Sequence, residues 1–128
     1  MMSMRVLVVD DEEAIREIAA LSLEAVGGHD VATAASGMEA LARVSEDLPD
    51  AILLDVMMPG LDGPTTVSRL QRDPRTRDVD VILLTAKVQP SERHEFARLT
   101  GVRGIISKPF DPMTLSQQVA DILGWQGD

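Results

Sequence analysis

The sequence predicts an α/β domain built on a mostly parallel sheet, and three observations predict it. Short apolar runs, each the length of a buried strand, recur along the 128 residues. Stretches of helical period alternate with them, as in successive βα units. Each run also ends on a polar residue of a different, chemically useful kind. Val6-Leu7-Val8-Val9 leads into Asp10-Asp11, and Ala51-Ile52-Leu53-Leu54 into Asp55. Val81-Ile82-Leu83-Leu84 leads into Thr85, and Gly104-Ile105-Ile106-Ser107 into Lys108-Pro109. In a parallel arrangement these carboxyl ends share one sheet edge, where open α/β folds bind ligands. Three carboxylates, a hydroxyl and an ammonium would meet there. That inventory suits a divalent cation beside a phosphoryl group.

The elements follow in order. After the first strand a helix is expected from about Glu12 to Val26, with Ile15, Ile18, Ser22 and Ala25 or Val26 as its inner stripe. Gly27-Gly28 stops it. A weaker strand is expected from about Asp30 to Ala35. Ser36-Gly37-Met38-Glu39 has capping-box spacing, and Leu41, Val44 and Leu48 supply the apolar face of the second helix before Pro49. The third strand ends at Asp55. The turn-rich segment from Met57 to Gly63 precedes a third helix with Pro64 in its first turn and Val67 and Leu70 facing inward. A polar connection from Arg72 to Asp80 enters the fourth strand. The fourth helix, about Ser91 to Leu99, is poorest in apolar residues, with Phe96, Ala97 and Leu99 to bury. Asp111-Pro112 reads as the cap and first-turn proline of a last helix whose stripe is Leu115, Val119, Ile122 and Leu123, stopped by Gly124. Five βα units account for nearly every residue.

Composition narrows function. Twenty-one acidic against 12 basic residues give a formal charge of −9, the wrong field for tracking a nucleic-acid backbone. Arg69, Arg72, Arg75 and Arg77 gather locally, but Asp73, Asp78 and Asp80 interleave with them, as on a solvated helix end. Three aromatic residues, Phe96, Phe110 and Trp125, are too few for a base-stacking platform. With no cysteine, disulfides, thiolate metal sites and cysteine nucleophiles are absent. No run has the length of a membrane span or the form of a secretion signal.

Four motifs in this order and spacing resemble the receiver domain of two-component response regulators over essentially the whole chain. They are Val-Val-Asp-Asp-Glu at 8–12, Leu-Leu-Asp-Val-Met-Met-Pro-Gly at 53–60, Leu-Thr-Ala at 84–86 and Lys-Pro-Phe-Asp at 108–111. The resemblance implies a flavodoxin-like (βα)5 three-layer sandwich with a five-stranded parallel sheet in the order 2-1-3-4-5. It implies a single receiver domain over residues 1–128, with its core at about 4–124 and a short tail at 125–128. It also implies a cytoplasmic signalling protein, not an enzyme beyond self-catalysed phosphoryl transfer and autodephosphorylation.

The resemblance assigns roles residue by residue. Asp55 aligns with the phosphoacceptor, a carboxylate that stores the group as an acyl phosphate. Standing alone, an aspartate before Pro-Gly would merely begin a turn. Asp10 and Asp11 align with the acidic pair that binds Mg2+, with Mn2+ or Ca2+ as substitutes. Asp11, Asp55 and the Met57 backbone carbonyl would coordinate directly, and Asp10 mainly through water. Thr85 and Lys108 would bind phosphoryl oxygens, the Lys108–Pro109 bond being cis, and small Ala86 would leave room for the group. The donor would be a sensor histidine kinase or a histidine phosphotransfer protein, and the output a contact with an unknown downstream protein target. Neither direct nucleic-acid binding nor membrane insertion is implied.

Three positions depart from the family pattern or vary within it. Ile105 stands where relatives often carry a mobile Tyr or Phe, and a stiff β-branched side chain is expected simply to pack against the fifth strand. Met57 and Lys87 flank the site and are expected to modulate the lifetime of the phosphoryl group. Other classes fit less well. A haloacid-dehalogenase-like phosphatase needs an Asp-x-Asp pair and a substrate cap, whereas Asp10 and Asp11 are adjacent. A dinucleotide or P-loop domain needs a glycine-rich phosphate loop that is missing. A receiver that only docks partners would not need the full set of Asp10, Asp11, Asp55, Thr85 and Lys108. Only four residues follow Gly124, so no output domain is expected in this chain.

Overall fold

The computed structural model describes residues 3–86 and 89–125. Strands and helices alternate along it: β1 (Arg5–Val9), α1 (Glu13–Ala25), β2 (Asp30–Ala34), α2 (Gly37–Glu46), β3 (Ala51–Asp55), α3 (Gly63–Arg72), β4 (Asp80–Thr85), α4 (Pro90–Ala97), β5 (Val102–Ser107) and α5 (Leu115–Leu123). The strands form one parallel sheet in the order β2-β1-β3-β4-β5, as expected. Alternate residues of the inner strands face opposite layers, which is why these runs are apolar throughout. Leu7, Val9, Ile52, Leu54, Val81 and Leu83 pack with Ala40 and Val44 of α2 and with Val67 and Leu70 of α3. Val6, Val8, Leu53, Ile82 and Leu84 pack on the other side with Ala19 and Leu23 of α1 and with Leu115 and Val119 of α5. The result is a three-layer sandwich of flavodoxin type.

Register places the functional edge. Val9 pairs with both Ala34 and Leu54, Asp55 with Leu84, and Thr85 with Ser107. The residues just past these pairs therefore emerge side by side. Gly63 lets α3 start directly against that edge. A Cβ there would meet the Asp55 carbonyl oxygen at 2.7 Å and the Val56 Cα at 2.9 Å, and its N–H donates to Val56 O at 2.9 Å. A side chain at this position would push the third helix away from the end of β3.

Several helix details differ from the sequence reading. The inner stripe of α1 runs through Ala19, Ser22 and Leu23 with Ile15 half-buried, while Ile18, Ala25 and Val26 are exposed. The apolar arc of α1 is wide, broken only by Ser22 and bounded by Glu13, Arg16, Glu17 and Glu24, so its period alone does not choose the residues at its centre. Small Ala19 meets the sheet because it permits a close approach. Helix α2 ends at Glu46, leaving Leu48 outside it and half exposed. Ser36 accepts from Glu39 N at 3.1 Å, but the Glu39 carboxylate reaches Ala35 N instead of the serine's own amide. Asp111 takes up Met113 N in a separate turn, so α5 begins at Leu115, behind the position that Asp111-Pro112 suggested. The polar connection before β4 contributes buried Thr76 and Val79, with Thr76 Oγ1 donating to Leu70 O at 2.7 Å. Ala97 of α4 is exposed, whereas Phe96 and Leu99 are half-buried. Gly124 ends α5 in the left-handed region at φ 72°, as its position predicted.

Candidate functional site

Asp10, just beyond β1, and Asp55, the last residue of β3, are 0% and 2% exposed, while Asp11 is open to solvent. One carboxylate oxygen from each of the three lies within 4.8 Å of the others. Lys108, one residue past β5, bridges two of them. Its ammonium donates to Asp10 Oδ2 at 3.0 Å and to Asp55 Oδ1 at 3.1 Å. The Lys108 main chain is itself fixed, since its N–H donates to Thr85 O at 2.7 Å and its bond to Pro109 is cis. Main-chain donors hold the acids: Glu12 N donates to Asp10 Oδ1 at 2.9 Å, and Met57 N to Asp55 Oδ1 at 3.3 Å.

The electrostatics follow from that crowding. Burial, reinforced by the neighbouring charge of Asp10, pushes the Asp55 carboxyl up to about 6, against the opposing pull of Lys108 and of the Met57 amide. For Lys108, burial disfavours the ammonium, but its bonds to Asp10 and Asp55 outweigh burial and the group is raised above its ordinary value. Among the described residues, three carboxylates thus share one ammonium, and the cluster is short of positive charge.

The donor set fits a hard divalent ion. All side-chain donors are carboxylate oxygens, as Mg2+ prefers. Both oxygens of Asp10 are engaged, one by Glu12 N and one by Lys108. Among the described residues, no hydrogen bond engages Asp55 Oδ2 or the Asp11 carboxylate, which leaves those oxygens available for direct ligation.

Of the remaining predicted residues, Met57, Ala86 and Pro109 line a cleft with Asp55 and Lys108, and Thr85 precedes Ala86 in the chain. Thr85 is buried at the end of β4, its hydroxyl donating to Ala86 O at 3.1 Å. This cleft of about 340 Å³ beside Asp55 is lined also by Glu12 and Ile15. The Met57 side chain stands at this cleft, 75% exposed. Ile105 lies in β5 opposite Leu83 and packs half-buried against the core beneath α4, away from the carboxylates. Lys87 lies outside the described residues. Sequence reasoning passed over Ile15 as a lining residue and Arg16, whose guanidinium donates to Asp10 O at 2.8 Å. A main-chain partner leaves no trace in a sequence pattern, so only coordinates could reveal the second.

Comparison with known proteins agrees with this geometry. The profile of the response regulator receiver domain matches residues 6–120. The chain is 42% identical over 121 residues to Response regulator PleD of Caulobacter vibrioides, covering 94% of this chain and 26% of that protein. It is 36% identical to the DNA-binding dual master transcriptional regulator RpaA of Synechocystis, covering 93% of this chain and 48% of that one. The chain thus spans about a quarter to a half of these curated relatives. Among solved structures, a putative response regulator from Chloroflexus aurantiacus superposes with a TM-score of 0.85 at 35% identity, covering 96% of this chain and 99% of the other. Chemotaxis response regulator CheY4 of Vibrio cholerae gives 0.86 at 31%, covering 94% and 99%. No helix among the described residues is long and apolar enough to cross a membrane. With its profile match, its relatives and its acidic edge in agreement, the chain belongs to the response regulator receiver domain family of two-component signalling.

Proposed function

We propose that this chain is a cytoplasmic phosphoacceptor, a single receiver unit with its core at about residues 4–124, and that Asp55 takes the phosphoryl group. The observation that carries the reading is the Lys108 bridge between Asp10 and Asp55 at one mouth of the sheet. A carboxylate oxygen of Asp55 attacks phosphorus as the phosphorus–nitrogen bond of a phosphohistidine breaks. The electron pair of that bond stays on the imidazole nitrogen, which takes a proton from water. The donor is a sensor histidine kinase or a histidine phosphotransfer protein. Later attack by water on phosphorus breaks its bond to the Asp55 oxygen, releasing inorganic phosphate and returning Asp55 to a carboxylate.

Asp11, Asp55 and the Met57 carbonyl would hold Mg2+, with Asp10 reaching it through water. When bound, the ion supplies charge neutralisation between the carboxylate and phosphoryl oxygens. Lys108 exchanges a carboxylate partner for a phosphoryl oxygen. Thr85 turns its hydroxyl from the Ala86 carbonyl to another, and Ala86 leaves space for the group. These exchanges bias two pre-existing conformations and so change contacts with a downstream protein. Met57, at the mouth of the cleft, shields the acyl phosphate from water, and Lys87 adds a cationic contact. Phosphoryl lifetimes in Met57→Asn and Lys87→Ala check the last point; unchanged lifetimes in both would remove it.

Incubation with Mg2+ and acetyl phosphate, followed by intact mass measurement, tests the core of the reading. One labile phosphoryl adduct is expected on the wild type, none at this site on Asp55→Asn, and none once the metal is chelated. A wild type that stays unmodified with every donor, phosphorylated histidine kinases included, would mean a domain that only docks partners.

A further inference from the structure

Arg16 performs none of the chemistry above, yet it is built into the acid loop. It lies in the first turn of α1, half-buried, and its Nη1 donates to the main-chain carbonyl of Asp10 at 2.8 Å. That carbonyl lies just past the last ladder pair of β1, Val9 with Ala34 and Leu54, so no strand amide opposes it. The Asp10 amide is held separately, donating to Ala34 O at 3.2 Å. The two peptide units flanking the Asp10 Cα are therefore both pinned, one by β2 and the other by the guanidinium. With Glu12 N on Asp10 Oδ1, the rotation of the loop that carries Asp11 is fixed as well.

The neighbouring β2–α2 loop has a brace of its own. The Glu39 carboxylate receives Ala35 N at the end of β2, and Arg43 Nε at 3.4 Å. Its carboxyl is held below the ordinary range first by the Ala35 amide, then by Arg43 and, more weakly, by the charge of Arg16.

We infer that Arg16 is a positioning residue for the acid pair, fixing the Asp10 carbonyl so that Asp10 and Asp11 are aimed at Asp55 and a divalent cation finds its ligands in place. The inference rests on the proposed reading of the cluster as a Mg2+ site. Its sign is diagnostic. Removing a positive charge beside an acidic site should, by Coulomb's law alone, tighten cation binding. Removing a positional brace should weaken it, by about tenfold for the loss of one ligand-orienting partner.

The test compares wild type, Arg16→Met and Arg16→Lys by magnesium calorimetry, with amide exchange of residues 10–12 followed in metal-free protein. Arg16→Met keeps the apolar stem and loses both donor and charge, whereas Arg16→Lys keeps one donor and the charge. Expected is about tenfold weaker Mg2+ binding and faster exchange at Asp11 and Glu12 in Arg16→Met, with most of both recovered in Arg16→Lys. Thermal unfolding identifies any variant that fails to fold, and Arg16→Gln then replaces Arg16→Met. Binding as tight as wild type or tighter, with unchanged exchange, overturns the inference while leaving the cation site standing. A wild type that binds no Mg2+ overturns the reading beneath it and the inference together.

Discussion

Helices α3 and α4 cover the same face of the sheet and are held there by quite different means. In α3, Asp62 caps the first turn by accepting from Thr65 N at 2.8 Å, and Gly63, Thr66, Val67 and Leu70 are buried. In α4, Gln89 makes no side-chain cap and no residue is buried. Its attachment rests on half-buried Phe96 and on Arg93 Nη1 donating to Ser107 Oγ at 3.0 Å. Helical stability in proteins comes mostly from the buried face, so the two helices should open at very different free energies. The firm one backs the end of β3, where Asp55 must stay in place. The loose one lies beyond Thr85 and against the residue before Lys108, where movement is useful.

Measurements can break that contrast, beginning with its largest effect. Leu70→Ala should cost about 2–5 kcal/mol in urea unfolding, and Phe96→Ala less than about 2 kcal/mol. Equal losses would show that α4 is as firmly packed as α3. Next comes the strain carried on the firm side. Because the folded-state pKa of Asp55 is raised from 3.8 to about 6, its ionised form opposes folding. Stability from the protonated form is full below about pH 4 and lost as pH rises through 6. In metal-free buffer, the stability difference between Asp55→Asn and wild type should therefore shift in the variant's favour by on the order of 2–3 kcal/mol between pH 4 and pH 7. A constant difference across that range would refute it. Asp62→Ala, which removes the α3 cap, should cost about 1 kcal/mol. Smallest of all, Arg93→Ala should change global stability by less than about 0.5 kcal/mol yet accelerate amide exchange within α4. If exchange there stays slow, the clasp to Ser107 is not what holds the helix.

What could be read from the sequence follows the same division between strong and weak constraints. Inner strands buried on both faces must be apolar throughout, so β1, β3 and β4 declare themselves, and the residues ending them are polar for a reason other than folding. That logic reaches Asp10, Asp55 and Thr85, whereas Lys108 follows the edge strand β5 and a shorter apolar run. It failed where several solutions satisfy the same pattern. The wide apolar arc of α1 leaves Ala19 and Ile18 equally eligible as inward residues, and only packing against the sheet chooses the alanine. Asp111-Pro112 could begin a helix or a turn, and the Asp111 carboxylate took the turn. Arg16 had no legible signal, since an arginine in the first turn of a helix looks like any solubilising side chain until its carbonyl partner is known.

The single tryptophan has a practical consequence of its own. Trp125 sits edge-on to the His29 imidazole, with ring centroids 5.2 Å apart and planes at 62°. His29 immediately precedes β2, so this indole lies at the opposite end of the sheet from Asp55. Burial lowers the affinity of His29 for a proton, and its Nδ1 accepts from Met4 N at 3.1 Å. Emission from this lone fluorophore is insulated from direct quenching at the carboxylates. Any spectral response to a phosphodonor would register a rearrangement relayed along the length of the domain.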